Sequence, residues 1–162
     1  MIRGGWIVQG PQTDAFEREI AAIHGVEHAV VVSSGTAALH LGCLALGLGR
    51  GEAVFVPSFA WPSAAHVVMH LGARPVFVDV LPDTCNIDPR SLEARVAECR
   101  DKQWGRPRAV IPVHQFGLPA EMQPVLQIAE AHRLLVLEDA ACAFGASRGG
   151  TPVGAFGAGG IL

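Results

Sequence analysis

Short apolar segments that recur between amphipathic helical patterns constrain this chain more than any other feature. Each segment is apolar on both faces, as in a central parallel strand that is covered by helices on both sides. The predicted strands are Ala29–Val32, Ala53–Val56, Pro75–Val80, Ala109–Val113 and Leu134–Leu137. The predicted helices lie near Thr13–His24, Thr36–Leu46, Pro62–His70, Pro89–Cys99 and Ala120–His132. This alternation predicts a three-layer α/β/α domain with a mainly parallel sheet.

Composition narrows the class of protein further. The 162 residues suffice for one well-buried domain and are too few for two ordinary ones. A formal net charge of −3 gives no electrostatic footprint for nucleic acid or for an anionic membrane, so we expect neither as a partner. The N-terminus lacks the apolar core of a secretion signal, which favours a cytoplasmic protein. The scattered cysteines are expected to be reduced and mostly buried.

Three predicted strand ends carry side chains suited to a ligand, because open parallel sheets bind ligands beyond the carboxyl ends of their strands. Ser33–Ala38 leads into a helix whose free N–H groups attract phosphate, although the same residues also suit an ordinary helix cap. Trp61 offers a flat face to a heteroaromatic ring, or else packs in the core. Asp139 suits a protonated pyridine nitrogen, or else caps a helix. Together they match the needs of pyridoxal 5'-phosphate (PLP).

Several ordered blocks carry a resemblance to a known family. They are Ser34–Leu41, Val56–Phe59, Gly72–Asp79, Asn86–Pro89, Pro112–Gly117, Glu138–Ala141 and Val153–Gly157. In this order and spacing they resemble the DegT/DnrJ/StrS family of PLP-dependent nucleotide-sugar aminotransferases, which have the fold-type I architecture. Gly5-Trp6 followed by Gly10-Pro11 also resembles that family's approach to its first large-domain helix.

The resemblance implies cofactor-binding roles for a small set of residues. The set is Gly35, Thr36, Ala37, Trp61, Asp139 and Cys142. The first three would bind the cofactor phosphate, Trp61 would stack on the pyridine face, and Asp139 would meet the ring nitrogen. Cys142 stands where the family usually has Gln or His, on the cofactor's hydroxyl side. A thiol hydrogen-bonds poorly, so this substitution bears on how the cofactor is tuned.

The resemblance also implies a lysine that this sequence does not contain. The family holds PLP as a Schiff base on a lysine just past the Gly-rich run that ends here, so that lysine would lie beyond Leu162. The only lysine, Lys102, lies in a polar loop and is expected to point into water. We therefore expect residues 1–162 to be a partial PLP-binding large domain, without the C-terminal small domain and inactive alone.

The intact enzyme implied by the resemblance is a homodimer that transfers an amino group from glutamate or glutamine to a nucleotide-linked keto sugar, in polysaccharide or antibiotic-sugar biosynthesis. Three alternatives stay open: a truncated remnant that only dimerises, a PLP-dependent sugar dehydratase, and a Rossmann-like dinucleotide domain. The last rests on Gly47-x-Gly49-x-Gly51, which follows a helix rather than a strand. His66 and His70 have zinc-like spacing, but Val67 replaces the expected Glu and no third ligand stands out, so we predict no metal site.

Overall fold

A computed structural model describes residues 9–162, with residue 100 described by its backbone only. The helices are α1 (Pro11–His24), α2 (Gly35–Ala45), α3 (Ser63–His70), α4 (Pro89–Asp101) and α5 (Met122–His132), with a short 3-10 turn at Gln115–Gly117. The strands are β1 (Glu52–Pro57), β2 (Arg74–Val78), β3 (Arg106–Val110), β4 (Leu135–Asp139), β5 (Ser147–Arg148), β6 (Thr151–Pro152) and β7 (Gly159–Ile161).

The main sheet has five strands in the order β2-β1-β3-β4-β7, and every neighbouring pair is parallel. Four of its strands overlap predicted ones, and the fifth, β7, lies in the Gly-rich run near the end of the sequence. The β5–β6 pair is a small antiparallel hairpin that the sequence pattern did not predict. Two-residue strands are too short to leave a periodic signal.

Helices cover both faces of the sheet. In β1, Phe55 packs against α4 and α5, within a buried cluster that includes Leu92 and Val125. Val54 faces the other way, into a cluster with residues of α2 and α3 such as Leu39. Successive strand residues point to opposite faces, so a strand buried on both faces reads as continuously apolar. The predicted three-layer α/β/α architecture is confirmed.

Local caps fix where the helices begin. Ser34 precedes α2, and its Oγ accepts a hydrogen bond from the Ala37 N–H at 3.1 Å. Asp88 precedes α4 and accepts one from the Arg90 N–H at 2.9 Å, with Pro89 as the first helical residue. Side-chain oxygens at these positions satisfy N–H groups that have no partner inside the helix.

The predicted strand at Ala29–Val32 is wrong. Within residues 9–162 this segment pairs with no strand, and Val30 is exposed. The Val31 N–H instead donates to Glu17 Oε1 of α1 at 2.8 Å. A β-branched apolar run satisfies the strand pattern, but a strand also requires a neighbour to share its backbone hydrogen bonds. The Gly5-Trp6 part of the resemblance lies outside the described residues.

The cysteines are all free, as expected, but only half of them are buried. Cys43 and Cys99 lie in the core, Cys85 is half-buried and Cys142 is exposed. Within residues 9–162, no helix combines the length and the apolar character that crossing a membrane requires.

Candidate functional site

The order in which strands are added to the sheet changes direction at β1. The chain passes from β1 to β2 on one side and then crosses to β3 on the other side. The loops that follow β1 and β3 therefore leave in opposite directions, and the crevice between them is where such sheets bind ligands. Two contacts join these loops. Gln115 Nε2 donates to the Phe59 carbonyl at 2.7 Å, and the Phe59 and Phe116 ring centroids are 6.3 Å apart.

A buried asparagine holds the loop after β3 in shape. Asn86 Oδ1 accepts from the Gln115 N–H at 2.9 Å, and Asn86 Nδ2 donates to the Leu118 carbonyl at 3.0 Å. Between these anchors Phe116 has a φ of 53°, in the left-handed region that non-glycine residues rarely adopt, and its side chain is exposed. In the sequence these residues carried a signal only as members of their blocks, not individually.

Trp61 lies between β1 and α3 and is 79% exposed. The core-packing alternative for this side chain is therefore wrong. An indole of this exposure at the carboxyl edge of the sheet is free to contact a ligand.

The start of α2 keeps free backbone donors. Ala37 N–H is bound by Ser34 Oγ, as an ordinary helix cap requires. No hydrogen bond within residues 9–162 uses the N–H groups of Gly35 and Thr36. Unpaired N–H groups at a helix start, together with the helix dipole, attract an anion such as phosphate. The cap therefore leaves the Gly35 and Thr36 N–H groups available for the predicted phosphate contact.

Asp139 is the last residue of β4 and is 8% exposed. Burial raises the pKa of its carboxyl above the ordinary value, and a hydrogen bond from the Ala141 N–H to Oδ1 at 3.3 Å offsets part of this effect. No lysine or arginine within the described residues forms an ion pair with it. The helix-cap alternative is wrong, because the residues that follow form turns. A shielded carboxylate without a cation suits a ligand that brings one.

These groups lie at one edge of the sheet. A Cβ placed on Gly35 would lie 3.9 Å from Ala141 Cβ, in the turn after Asp139. The His114 N–H donates to the Asp139 carbonyl at 3.0 Å, which ties β4 to the loop after β3. Cys142 lies in the turn after Asp139, and its carbonyl oxygen is 3.6 Å from where a Cβ on Gly117 would be. The start of α2 is thus adjacent to the turn that follows Asp139 and contains Cys142.

The remaining sequence candidates lie elsewhere. The glycines at positions 47, 49 and 51 precede β1 and so lie at the amino edge of the sheet, opposite the crevice. Sheets of this kind bind dinucleotides at the carboxyl edge, so these glycines are not placed for that role. Lys102 is 53% exposed and pairs with Glu98 at 3.2 Å, so its expected surface position is confirmed. His66 and His70 are exposed on α3, and no metal-binding group of three or more ligating side chains occurs in the part of the chain that the structure describes.

A mainly parallel sheet between two helical layers is the fold of the fold-type I aminotransferases. Comparison with known proteins agrees. The model of the DegT/DnrJ/EryC1/StrS aminotransferase family matches residues 1–162, and this chain belongs to that family.

Solved structures of the family superpose closely on this chain. A DegT/DnrJ/EryC1/StrS aminotransferase from Brucella abortus is 41% identical, with a TM-score of 0.93 over 96% of this chain and 42% of that one. DesV from S. venezuelae is 37% identical, with a TM-score of 0.87 over 94% and 39%. Spr1654 from Streptococcus pneumoniae, in its PLP form, is 29% identical, with a TM-score of 0.88 over 96% and 42%.

The chain spans about two fifths of the length of these structures. Aminotransferases of this family depend on PLP.

Proposed function

We propose that this chain is the PLP-binding part of an aminotransferase that moves an amino group from glutamate or glutamine to a nucleotide-linked keto sugar. The observation that carries the proposal is Asp139, a nearly buried carboxylate near a helix start. Within residues 9–162 it has no Lys or Arg partner, and two N–H groups of that helix start have no hydrogen-bond partner. Family membership supports the reaction class. The longer relatives support the view that residues 1–162 correspond to part of the large domain.

Each part of PLP has a matching group in this proposal. The phosphate accepts hydrogen bonds from the N–H groups of Gly35 and Thr36, with Ala37 completing the turn. The indole of Trp61 contacts the ring face. The carboxylate of Asp139 holds the proton on the ring nitrogen. When bound, PLP supplies an electron-withdrawing ring that stabilises negative charge developing on the substrate carbon.

The electrostatics of Asp139 favour this assignment. Burial raises its pKa, so the ionised form is less favoured here than in water. A protonated pyridine nitrogen at this point would supply the opposite charge and lower that pKa. Carboxylate and ring proton would then stabilise each other. Cys142, exposed in the next turn, is the proposed neighbour of the ring hydroxyl.

The proposed whole enzyme is a homodimer in which a lysine outside residues 1–162 binds the cofactor covalently. The chain as given would then bind PLP without turnover. Equilibrium titration with PLP, with pyridoxal lacking the phosphate, and with NAD tests this. We expect PLP to bind at least about ten-fold more tightly than pyridoxal, because the phosphate contacts are charge-assisted. Tighter binding of NAD than of PLP would contradict the proposal.

A further inference from the structure

Beneath the proposed site lies a fully buried pair, Glu138 and His114, whose Oε2 and Nε2 atoms are 3.0 Å apart. The ring's other nitrogen, Nδ1, accepts a hydrogen bond from the Ala120 N–H at 3.0 Å. Nδ1 therefore carries no proton, and Nε2–H is the donor to Glu138. His114 is thus held as one neutral tautomer.

Glu138 also binds a loop that lies ahead of β7. The Gly154 N–H donates to Oε2 at 2.9 Å, and the N–H groups of Phe156 and Gly157 donate to Oε1 at 2.7 and 3.0 Å. With His114, four donors converge on one carboxylate. Both carboxylate oxygens accept, so these hydrogen bonds satisfy the buried group.

Both groups held by Glu138 also hold the backbone of Asp139. On one side, the backbone N–H of His114 donates to the Asp139 carbonyl at 3.0 Å. The backbone N–H of Asp139 donates to the Pro112 carbonyl at 2.9 Å. On the other side, the Gly154–Gly157 loop leads into β7, where the Ile161 carbonyl accepts from the Ala140 N–H at 2.8 Å. Glu138 therefore fastens both flanks of the residue that follows it.

The side chain of Asp139 has little else to orient it. Its one hydrogen bond within the described residues comes from the Ala141 N–H at 3.3 Å. The direction of its carboxylate therefore depends on the backbone frame. A displacement of about 1 Å is enough to weaken a contact to a reacting group substantially.

We propose that Glu138 and His114 are positioning residues that fix the Asp139 carboxylate against the ring nitrogen of PLP. They act through the backbone and do not touch the cofactor. This inference rests on the proposed function.

A matched pair of substitutions at His114 tests the link to Glu138. His114→Gln keeps an N–H that reaches Glu138, whereas His114→Asn keeps only the acceptor near Ala120. Glu138→Gln replaces one carboxylate oxygen with an N–H₂ group, which cannot accept. At the position of Oε2 this group would face the two donors His114 and Gly154. Glu130→Gln, on the exposed face of α5, is the control for loss of a carboxylate.

Amide hydrogen exchange gives the first measurement and needs no cofactor. We expect exchange at Gly154, Phe156, Gly157 and Ala141 to quicken about ten-fold or more in Glu138→Gln and His114→Asn, since each loses a charge-assisted hydrogen bond. His114→Gln and Glu130→Gln should stay near the unmodified protein. Faster exchange in the loop with Ala141 unchanged would overturn the proposal, because Glu138 would then hold the loop alone. Should Glu138→Gln not fold, the His114 pair decides.

The second measurement compares PLP with an analogue in which carbon replaces the ring nitrogen. Glu138→Gln and His114→Asn should lower the preference for PLP about ten-fold, and Asp139→Asn should abolish it. Equal loss of affinity for both ligands would mean general structural support and would overturn the proposal. If the unmodified chain binds neither ligand, the proposed function fails, while the exchange at Ala141 still decides whether Glu138 and His114 fix Asp139.

Discussion

The first residue of α2, Gly35, and Ala141 in the turn after β4 are in contact range: a Cβ on Gly35 would lie 3.9 Å from that of Ala141. Residues distant in sequence thus bring the free N–H groups of a helix start next to a nearly buried carboxylate. Neither feature alone defines a cofactor site. Their adjacency is what favours a cofactor site at this edge of the sheet.

Trp61→Ala should weaken PLP binding without affecting the fold. Because the indole is 79% exposed, its loss should change the free energy of unfolding by less than about 0.5 kcal/mol. Loss of aromatic stacking should weaken PLP affinity about five- to ten-fold. Urea denaturation and PLP titration measure the two effects, with Trp61→Phe as the conservative control. Unchanged PLP affinity in Trp61→Ala would remove this residue from the site.

Asp139→Asn should make the ligand-free protein more stable at neutral pH. Burial raises the pKa of Asp139 above 3.8, so the folded state holds this proton more tightly than the unfolded chain does. Stability from this group is therefore present at low pH and falls as pH rises through the folded-state pKa. An asparagine avoids that loss, and its advantage should disappear as pH falls towards 3.8.

Urea denaturation between pH 7 and about pH 4 measures the advantage, with exposed Asp83→Asn as the matched control. A decrease in stability for Asp139→Asn at pH 7 would contradict the burial argument. A gain in stability together with loss of PLP binding would be typical of a group retained for function.

Gly157→Ala should destabilise the fold. A Cβ at this position would overlap the backbone carbonyl of Val136, which cannot move without disturbing β4. We expect a loss of about 1–3 kcal/mol in the free energy of unfolding, as for other overpacked sites. Gly49→Ala is the control, because a Cβ there meets no atom within 4 Å. Equal stability of the two variants would show that the Gly154–Gly157 loop yields easily.

Cys142 should react with a disulfide reagent before Cys43 does. Burial raises the pKa of the Cys43 thiol to about 11, so only about 0.1% is thiolate at pH 8. Cys142 is exposed, and bound PLP should slow its modification. Mass spectrometry of partly labelled protein reads both effects, with Cys142→Ser as the control. Rapid labelling of Cys43 in the folded protein would contradict its burial.

The strands that were predicted correctly share one property: each pairs with at least one other strand of the main sheet. Phe55 and Val54 point to opposite helical layers, and both positions read as apolar. Ala29–Val32 has the same composition but no partner strand within the described residues. The composition of a segment shows only that it could form a strand, whereas strand pairing depends on distant parts of the chain. The apolar pattern alone could therefore not reveal whether this segment pairs.

The candidate site was predictable only in its outline. Trp61 follows β1 and Asp139 ends β4, and a sheet of parallel strands brings such residues to one edge. Gly35 and Thr36 lie near the end of β4 although the strand predicted before them is wrong. Glu138 and His114 gave no separate signal, because a buried hydrogen-bonded pair looks the same in sequence as two exposed polar residues. Their partners are backbone N–H groups of residues 154–157, and no side-chain pattern encodes those.

Adjacent carboxylates at the end of β4 have opposite tasks, since Glu138 is sealed inside and Asp139 borders the crevice. Alternation along a strand means that a shift by one residue would exchange them. A single-residue insertion or deletion within Leu135–Asp139 would therefore abolish the site even if every side chain were retained. Exchanging one apolar residue for another within the same strand should be tolerated far better. Evolution can thus vary the composition of this strand but not its length.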